Sequence, residues 1–294
     1  MITKIHFIVN PIAGSGKNRL SEDELNSLFR SDLYEVVIKE SQFSKHAIVL
    51  AKESIAEKAD VIVACGGDGT INEVASCLIN TNVTLGIIPM GSGNGLASNL
   101  KIPKKIEEAL KTIKKASVLE IDAGLINDEF FFSNTGIGFD AHVISDFEKD
   151  SKRKLWGYVN SAIKSLRNYK YQEVELTYSN QTRKINPFLL FISNSNEMGY
   201  KMSLTPKASL QDGLFDIIIV PKLSAFKMIC FTLLFLLKKH YWLRDVKIEK
   251  AESFTIKNNG QTSLKVQKDG ESLDLSAKTI EIKVLPKALK ICAS

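Results

Sequence analysis

The segment that most constrains this chain is a short apolar run that ends in glycines around one carboxylate. Residues 61–65 are Val-Ile-Val-Ala-Cys, residues 66–70 are Gly-Gly-Asp-Gly-Thr, and apolar residues then recur at helical spacing through residue 79. The pattern predicts a strand, a tight turn and a helix. Glycines let a backbone approach a bulky anion, and a helix N-terminus offers unpaired N–H groups, so the turn favours a phosphate site. Asp68 would there contact a metal ion or accept a proton, unless it is a solvated residue of an ordinary turn.

The chain changes character near Val118. Before it, strand patterns at residues 5–9, 34–38, 61–65 and 84–88 alternate with helical patterns, which is typical of a doubly wound parallel α/β sheet. After it, strand patterns predominate and predict an antiparallel β-sandwich or barrel. Two helices interrupt this second part, near residues 155–168 and 225–240.

Charge and composition narrow the class of protein. The net charge of +6 over 294 residues suits an anionic ligand or an anionic membrane surface, and it is too weak to indicate nucleic acid. The four cysteines have neither metal-type nor disulfide-type spacing, which favours reduced thiols. No signal peptide is recognisable, and the longest apolar run, residues 228–237, is too short for a hydrocarbon core of about 30 Å. We expect a cytoplasmic protein, soluble or peripheral to the membrane, with the helix at 228–237 buried rather than lipid-facing.

Two further glycine turns follow predicted strands. Residues 10–17 are Asn-Pro-Ile-Ala-Gly-Ser-Gly-Lys, which fails as a P-loop because Asn18 stands where Ser or Thr is needed. The same turn fails as a Rossmann fingerprint because Arg19 replaces the third glycine. Residues 89–96 are Pro-Met-Gly-Ser-Gly-Asn-Gly-Leu. In a parallel sheet such turns gather at the carboxyl edge of the strands. Together they therefore predict a nucleotide site that is neither a P-loop nor a Rossmann site.

This set of turns resembles the diacylglycerol kinase catalytic-domain superfamily of lipid kinases, which includes bacterial diacylglycerol kinases and sphingosine and ceramide kinases. Four motifs carry the resemblance in order, at residues 10–16, 66–73, 89–94 and 267–271, the last being Gln-Lys-Asp-Gly-Glu. The resemblance covers most of the chain. It implies an α/β ATP-binding domain at 1–120, joined by residues 286–294, and a β-sandwich lipid-substrate domain at 121–285.

The resemblance also implies site residues for ATP and Mg²⁺. Asp68 would hold the reaction's Mg²⁺ or the acceptor hydroxyl, and Asp269 and Glu271 are the other acid–base candidates. A structural Mg²⁺ would be held by the carboxylate of Asp212 and backbone oxygens of Ser209 and Leu214, although a glycine turn before a strand explains that segment equally well. The implied nucleotide contacts are Asn10, Gly14, Ser41, Gly66, Gly67, Asp68, Gly69, Thr70, Ile71, Asn72 and Ser92.

The sequence leaves two classes of lipid open as the acceptor, diacylglycerol and a sphingoid base. Many bacterial diacylglycerol kinases of this group carry Asp where Gly95 stands, which brings the third turn closer to the sphingosine and ceramide branch. Asp140 resembles the position where sphingosine kinases hold the amine of their substrate, but a helix N-cap needs Asp equally often. Diacylglycerol is marginally favoured, and a role in phospholipid biosynthesis follows; a sphingoid base is the alternative.

The implied partners are a membrane lipid and an anionic membrane surface. Basic residues 152–154 precede Leu-Trp-Gly-Tyr at 155–158, which suits such a surface or a solvated helix packed by its Trp. A homodimer is compatible with the sequence. NAD kinase shares the Gly-Gly-Asp-Gly-Thr turn but lacks the first and third turns seen here. Retention of three acids, Asp68, Asp269 and Glu271, argues against a non-catalytic lipid- or nucleotide-binding protein.

Overall fold

The computed structural model describes residues 2–14, 20, 22–91, 93–115, 117–147, 166, 169–198, 202–260, 262–275 and 277–293. The chain divides into two compact units. Unit 1 comprises Met1–Ala123 and Pro286–Ser294, and unit 2 comprises Gly124–Leu285. The predicted basic stretch at 152–154 and the helix at 155–168 fall almost wholly outside the described residues.

Unit 1 is built on a parallel sheet. Its strands pair in the order β2-β1-β3-β4, and they are β1 (Thr3–Val9), β2 (Tyr34–Glu40), β3 (Val61–Gly66) and β4 (Thr84–Pro89). Its helices are α1 (Glu22–Leu28), α2 (His46–Ala56), α3 (Asp68–Leu78), α4 (Gly95–Asn99) and α5 (Ile106–Lys115). Strands β1, β3 and β4 are buried almost continuously, which is possible only when both faces of a sheet are covered. The predicted α/β class is confirmed.

Backbone hydrogen bonds continue past the strand ends and hold the following turns in place. The Asn10 N–H donates to the carbonyl of Cys65 at 2.9 Å, and the Met90 N–H donates to the carbonyl of Gly66 at 2.8 Å. The Ser41 N–H donates to Val9 at 2.8 Å. The turns after β1, β2, β3 and β4 therefore lie side by side at the carboxyl edge of the sheet, as the sequence predicts.

Unit 2 is antiparallel. One sheet has the order β12-β11-β10-β7-β14-β15, and a second set of strands has the order β16-β13-β8-β9, while β5 and β6 form a hairpin. Side chains from both sets share one core that includes Leu190, Ile217, Phe254 and Ile282, which confirms the predicted β-sandwich.

The strands are β5 (Val118–Ile126, which begins in unit 1), β6 (Glu129–Phe131), β7 (Asn134–Gly138), β8 (Val174–Tyr178), β9 (Gln181–Ile185), β10 (Pro187–Ser193), β11 (Phe215–Pro221), β12 (Lys247–Ala251), β13 (Ser253–Asn258), β14 (Val266–Lys268), β15 (Glu271–Leu273) and β16 (Thr279–Cys292). The helices are α6 (Phe139–Phe147), α7 (Ala225–Leu236) and a 3₁₀ turn (His240–Trp242).

The last strand contributes to both units. Strand β16 pairs with β13 from Thr279 to Lys283, and near its end Ile291 pairs in parallel with Leu85 of β4. The sequence pattern predicts a strand only to residue 284. The strand continues past Pro286, and the Lys287 N–H donates to the buried carboxylate of Asp122 at 2.8 Å.

Strand β7 was not predicted because it carries glycines. Its sequence is Asn-Thr-Gly-Ile-Gly, and glycine is a weak strand former. Gly136 is required by its neighbours, since a Cβ there would lie 2.6 Å from the carbonyl oxygen of Leu190 on β10. Close strand packing therefore overrides the local preference.

The predicted burial of the 228–237 helix is wrong. The segment forms most of α7, and of its described residues only Phe231 is fully buried, while Phe226, Ile229 and Leu233 are exposed. The apolar pattern alone does not distinguish a helix enclosed by protein from one with an uncovered face. Among the described residues, no helix combines the length and the apolar content needed to cross a bilayer.

Candidate functional site

The three glycine turns of unit 1 meet through their backbones. Gly14 has a positive φ of 67°, and a Cβ there would overlap the carbonyl oxygen of Met90 in the third turn. A Cβ on Gly91 would lie 2.6 Å from the Cα of Gly67 in the second turn. Only glycine permits these approaches. The turns after β1, β3 and β4 thus form one site.

Asp68 fastens the second turn to the third. It lies at the start of α3, and its carboxylate accepts the N–H groups of Asn94 at 2.7 Å and Gly95 at 2.8 Å. Burial raises the pKa of the Asp68 carboxyl, and these N–H donors offset only part of that effect. The side chain predicted to contact a metal ion or a hydroxyl therefore also anchors the first residues of α4.

Two asparagines complete the joining of the turns. The Asn10 amide donates to the hydroxyl of Thr70 at 3.1 Å, which links the first turn to α3. Asn94 has a left-handed backbone with φ of 53°, and its side chain accepts from the Gly91 N–H at 3.0 Å and donates to the Gly91 carbonyl. Asn94 was not among the predicted site residues. Its signal was present, because Asn adopts the left-handed region more readily than most residues and suits such turns.

The other predicted nucleotide contacts lie near these turns. Ser41 follows β2 directly, and Gly69, Ile71 and Asn72 lie in the first part of α3. The Ile71 side chain is buried in the core, so only its backbone could face a ligand. Ser92 and the end of the first turn, residues 15–19, lie outside the described residues.

The acidic motif of unit 2 forms a tight hairpin turn. Asp269 and Gly270 both have positive φ, 50° and 85°, and Lys268 pairs with Glu271 across the two strands. These are the features of the two-residue turn for which Asp-Gly is a preferred sequence. The turn presents Glu271 as an exposed side chain at the start of β15.

Asp269 holds this turn against the start of β7. Its carboxylate accepts the N–H groups of Phe132 at 2.9 Å, Ser133 at 2.7 Å and Asn134 at 3.0 Å. These donors occupy three of the roughly four lone-pair sites of the carboxylate, so little of its capacity is left to accept a proton. Of the two predicted acids in this motif, the geometry thus gives Asp269 a positioning role and leaves Glu271 facing outward.

Asp140 is a buried carboxyl beside the same turn. It lies within the first turn of α6, and neither of its oxygens makes a hydrogen bond of normal geometry with a described residue, so it does not act as a helix cap. Burial raises its pKa to about 7, and the nearby Ala141 N–H and Gln267 amide offset only part of that effect. The Gln267 side chain donates to Asn134 at 2.9 Å and accepts from the Gly270 N–H at 3.2 Å. Gln267 thus lies near Asp140 and is hydrogen-bonded to the acidic turn.

Of the three residues predicted to hold a structural Mg²⁺, Asp212 pairs with an ammonium group. The Asp212 carboxylate pairs with the Lys250 ammonium at 2.7 Å and accepts the Leu214 N–H at 3.2 Å. The same ammonium lies 3.2 Å from the buried carboxylate of Asp216. Among the described residues, no group of three or more His, Cys, Asp or Glu side chains is arranged to hold a metal ion. Mg²⁺ does not fit this arrangement unless it displaces Lys250.

A pH effect on stability follows from Asp140. Its folded pKa of about 7 exceeds the reference value of 3.8, so its stabilising contribution is complete below pH 3.8 and is lost as the pH rises through 7. Asp140→Asn removes that loss. We expect the Tm of the variant relative to wild type to rise by about 4 °C between pH 5 and pH 8, measured by differential scanning calorimetry. The exposed Asp128→Asn is the control, and an Asp140→Asn profile parallel to wild type would contradict the burial effect.

A metal effect follows from Lys250. Lys250→Met frees both carboxylates, so Mg²⁺ should stabilise this variant more than wild type, with a Tm shift larger by about 2–4 °C. Lys227→Met is the matched control, because Lys227 also forms an ion pair, at 2.8 Å with Asp245. A wild-type Tm that rises with Mg²⁺ and loses this rise in Asp212→Asn would show that the metal binds there with Lys250 present.

Two family models match this chain, one after the other. The chain matches the family described as diacylglycerol kinase catalytic domain over residues 4–126, and the family described as YegS C-terminal NAD kinase beta sandwich-like domain over residues 133–293. A diacylglycerol kinase of Bacillus subtilis is 28% identical over 91% of this chain and 89% of its own length. A probable lipid kinase of the YegS type from Chromohalobacter salexigens is 32% identical over 58% of this chain and 57% of its own length.

A solved structure extends the likeness to the whole fold. A candidate diacylglycerol kinase of Bacillus anthracis is 28% identical and superposes with a TM-score of 0.81, covering 99% of this chain and 97% of that one. The matched regions include all three glycine turns, the acidic hairpin and β16. This chain therefore belongs to the family of diacylglycerol kinase-like lipid kinases in which a diacylglycerol kinase catalytic domain is followed by a YegS-type β-sandwich domain.

Proposed function

We propose that this protein transfers the γ-phosphoryl group of ATP to the hydroxyl of a membrane lipid, with diacylglycerol favoured over a sphingoid base. The observation that carries the proposal is the meeting of three glycine turns at the carboxyl edge of a parallel sheet, where Asp68 fastens the second turn to the third and Gly14 of the first turn lies against Met90 of the third. Family membership supplies the reaction class, and the relatives named diacylglycerol kinase support the choice of lipid.

The nucleotide would bind at the glycine turns. Phosphoryl transfer depends on positioning and charge stabilisation more than on covalent chemistry, and backbone N–H groups at the start of α3 can provide both. Asn10, Gly14, Ser41, Ser92 and residues 66–72 would supply the contacts. Mg²⁺, when bound with the nucleotide, would neutralise phosphate charge. Asp68 keeps the turns at a fixed separation for this purpose.

The acceptor hydroxyl would give its proton to Glu271. A carboxylate at this task must reach the substrate, and Glu271 is exposed while both oxygens of Asp269 already accept backbone N–H groups. Asp269 would instead fix the hairpin that carries Glu271. The two acids of the motif thus have different tasks.

Asp140 would contact the lipid headgroup. At neutral pH its buried carboxyl is held close to the balance between its neutral and charged forms. A neutral carboxyl can donate a hydrogen bond to an ester or hydroxyl oxygen of diacylglycerol. A sphingoid amine would instead keep the carboxylate charged, since an opposite charge nearby favours ionisation.

Substitution of Asp68 tests the nucleotide site. In Asp68→Asn the side chain keeps one accepting oxygen and turns an NH₂ group toward a backbone N–H, so we expect a loss of at least ~100-fold in turnover and a raised KM for ATP. Asp60→Asn is the matched control, because the Asp60 carboxylate also accepts a backbone N–H, from Lys4 at 2.8 Å, away from the turns. Near wild-type turnover in a folded Asp68→Asn protein would sink the assignment.

Substitution within the acidic hairpin separates the two acids. Glu271→Gln removes the proton acceptor and should lower kcat by ~100-fold or more. Asp269→Asn should lower the Tm as well, because it breaks the carboxylate's bonds to residues 132–134. Glu129→Gln, an exposed acid paired with Lys268 at 2.9 Å, is the control. An unimpaired Glu271→Gln alongside a folded but inactive Asp269→Asn would reverse the roles.

A lipid panel tests the whole proposal. Labelled ATP is offered with diacylglycerol, with sphingosine and with NAD, and we expect label in phosphatidic acid above all. Phosphorylation of sphingosine alone, with that preference lost in Asp140→Ala, would show that the acceptor is a sphingoid base and that Asp140 selects it. Label in NAD alone would overturn the lipid kinase proposal.

A further inference from the structure

Helix α7 in unit 2 is apolar on two opposite faces. On its inner face Met228, Phe231 and Phe235 pack against the cluster formed by strands β10 and β11. On its outer face Phe226, Ile229 and Leu233 are 76%, 60% and 58% exposed, and Leu236 and Leu237 continue the same stripe. A helix on a protein surface normally presents polar residues to water on the face opposite the core. The outer face of α7 is therefore an exposed apolar patch.

The two polar side chains of α7 are satisfied internally. Thr232 donates its hydroxyl to the carbonyl of Met228 at 2.9 Å, one turn earlier. The Lys227 ammonium pairs with Asp245 at 2.8 Å. Neither side chain therefore needs a polar partner on the outer face.

Aromatic and basic residues border the apolar face at its C-terminal end. Tyr241 and Trp242 are exposed, and the Lys239 ammonium lies 4.6 Å from the centroid of the Trp242 ring. His240, which lies between Lys239 and Tyr241 in the sequence, is buried. Its Nε2 lies 2.6 Å from the carbonyl oxygen of Leu204, and this contact anchors the segment. Trp and Tyr beside an apolar surface, with Lys next to them, are the side chains that concentrate where a bilayer meets water.

We propose that α7, together with Tyr241 and Trp242, docks on the surface of an anionic lipid bilayer. A helix of twelve residues is about 18 Å long, so it would lie within the interface. Between residues 222 and 245 the sequence has five basic residues and one acidic residue, Asp245, which already pairs with Lys227. The basic residues are Lys222, Lys227, Lys238, Lys239 and Arg244. This charge complements anionic headgroups.

The same charge disfavours a second copy of this chain as the occupant. A symmetric dimer would place each patch against itself, and so would bring the lysines of both copies together without an acidic partner. The proposal goes beyond the kinase reaction, because docking needs no catalysis. It also assigns membrane contact to a surface other than the predicted basic stretch at residues 152–154.

Vesicle binding tests the docking surface directly. Wild type is compared with the double variant Ile229→Ser/Leu233→Ser by flotation with vesicles of phosphatidylcholine containing about 30 mol% phosphatidylglycerol. Both side chains are exposed, so folding should be intact, and we expect at least ~10-fold weaker binding. Val49→Ser, which changes an exposed apolar residue on α2 of unit 1, is the matched control and should bind as wild type. Equal binding of the double variant and wild type would overturn the proposal.

Fluorescence gives a second readout at the surface itself. The chain has two tryptophans, so Trp156→Phe leaves Trp242 as the sole reporter. Its emission should shift to shorter wavelength with the anionic vesicles and much less with phosphatidylcholine alone, and Lys238→Gln/Lys239→Gln should reduce the shift. An unchanged Trp242 emission in protein that floats with the vesicles would overturn the proposal.

Two further results separate this inference from its rivals. Suppose that wild type is a dimer in analytical ultracentrifugation, and that the double variant is a monomer and still binds vesicles. A second copy of the chain then covers the outer face of α7, and the proposal is wrong. The double variant should still phosphorylate a soluble short-chain diacylglycerol at the wild-type rate. Wild type that binds vesicles through α7 but phosphorylates no lipid would refute the proposed kinase function while supporting the docking surface.

Discussion

The proposed nucleotide site depends on one carboxylate that accepts two backbone N–H groups. Asp68 stands at the start of α3 and holds the N–H groups of Asn94 and Gly95, so the turn after β3 cannot move independently of the turn after β4. The glycines on both turns allow the approach, and the carboxylate fixes it. In the proposed function backbone N–H groups would contact the phosphates, so this interaction would control catalysis by fixing the spacing of those groups.

Unit 2 uses carboxylates in three different environments. Asp269 is surrounded by N–H donors and fixes a hairpin, while Asp140 is buried without a good hydrogen-bond partner among the described residues and has a raised pKa. Glu271 is exposed at the edge of the same hairpin. In our proposal Asp269 therefore positions the hairpin, Asp140 contacts the headgroup and Glu271 accepts the proton. These three carboxyl groups differ in role because they differ in burial and in the hydrogen-bond donors around them.

The sequence predicts those features that local pattern determines. Helical periodicity and apolar runs identify the strands and helices of unit 1. Features that join distant residues could not be read in this way. The pairing of Lys250 with Asp212 spans 38 residues, and the bonds from residues 132–134 to Asp269 span about 135. The exposed face of α7 was missed for a related reason, since its burial depends on neighbours that the pattern does not contain.

Amide hydrogen exchange across the third turn tests the central claim most directly. If Asp68 fixes that turn, the amides of Asn94 and Gly95 should exchange at least ~10-fold faster in Asp68→Asn than in wild type, while the amides of β3 and β4 keep their protection. Asp60→Asn should leave both regions unchanged. Wild-type exchange at Asn94 and Gly95 in Asp68→Asn, measured on a protein that has lost ATP binding, would contradict the account and show that Asp68 acts on the ligand alone.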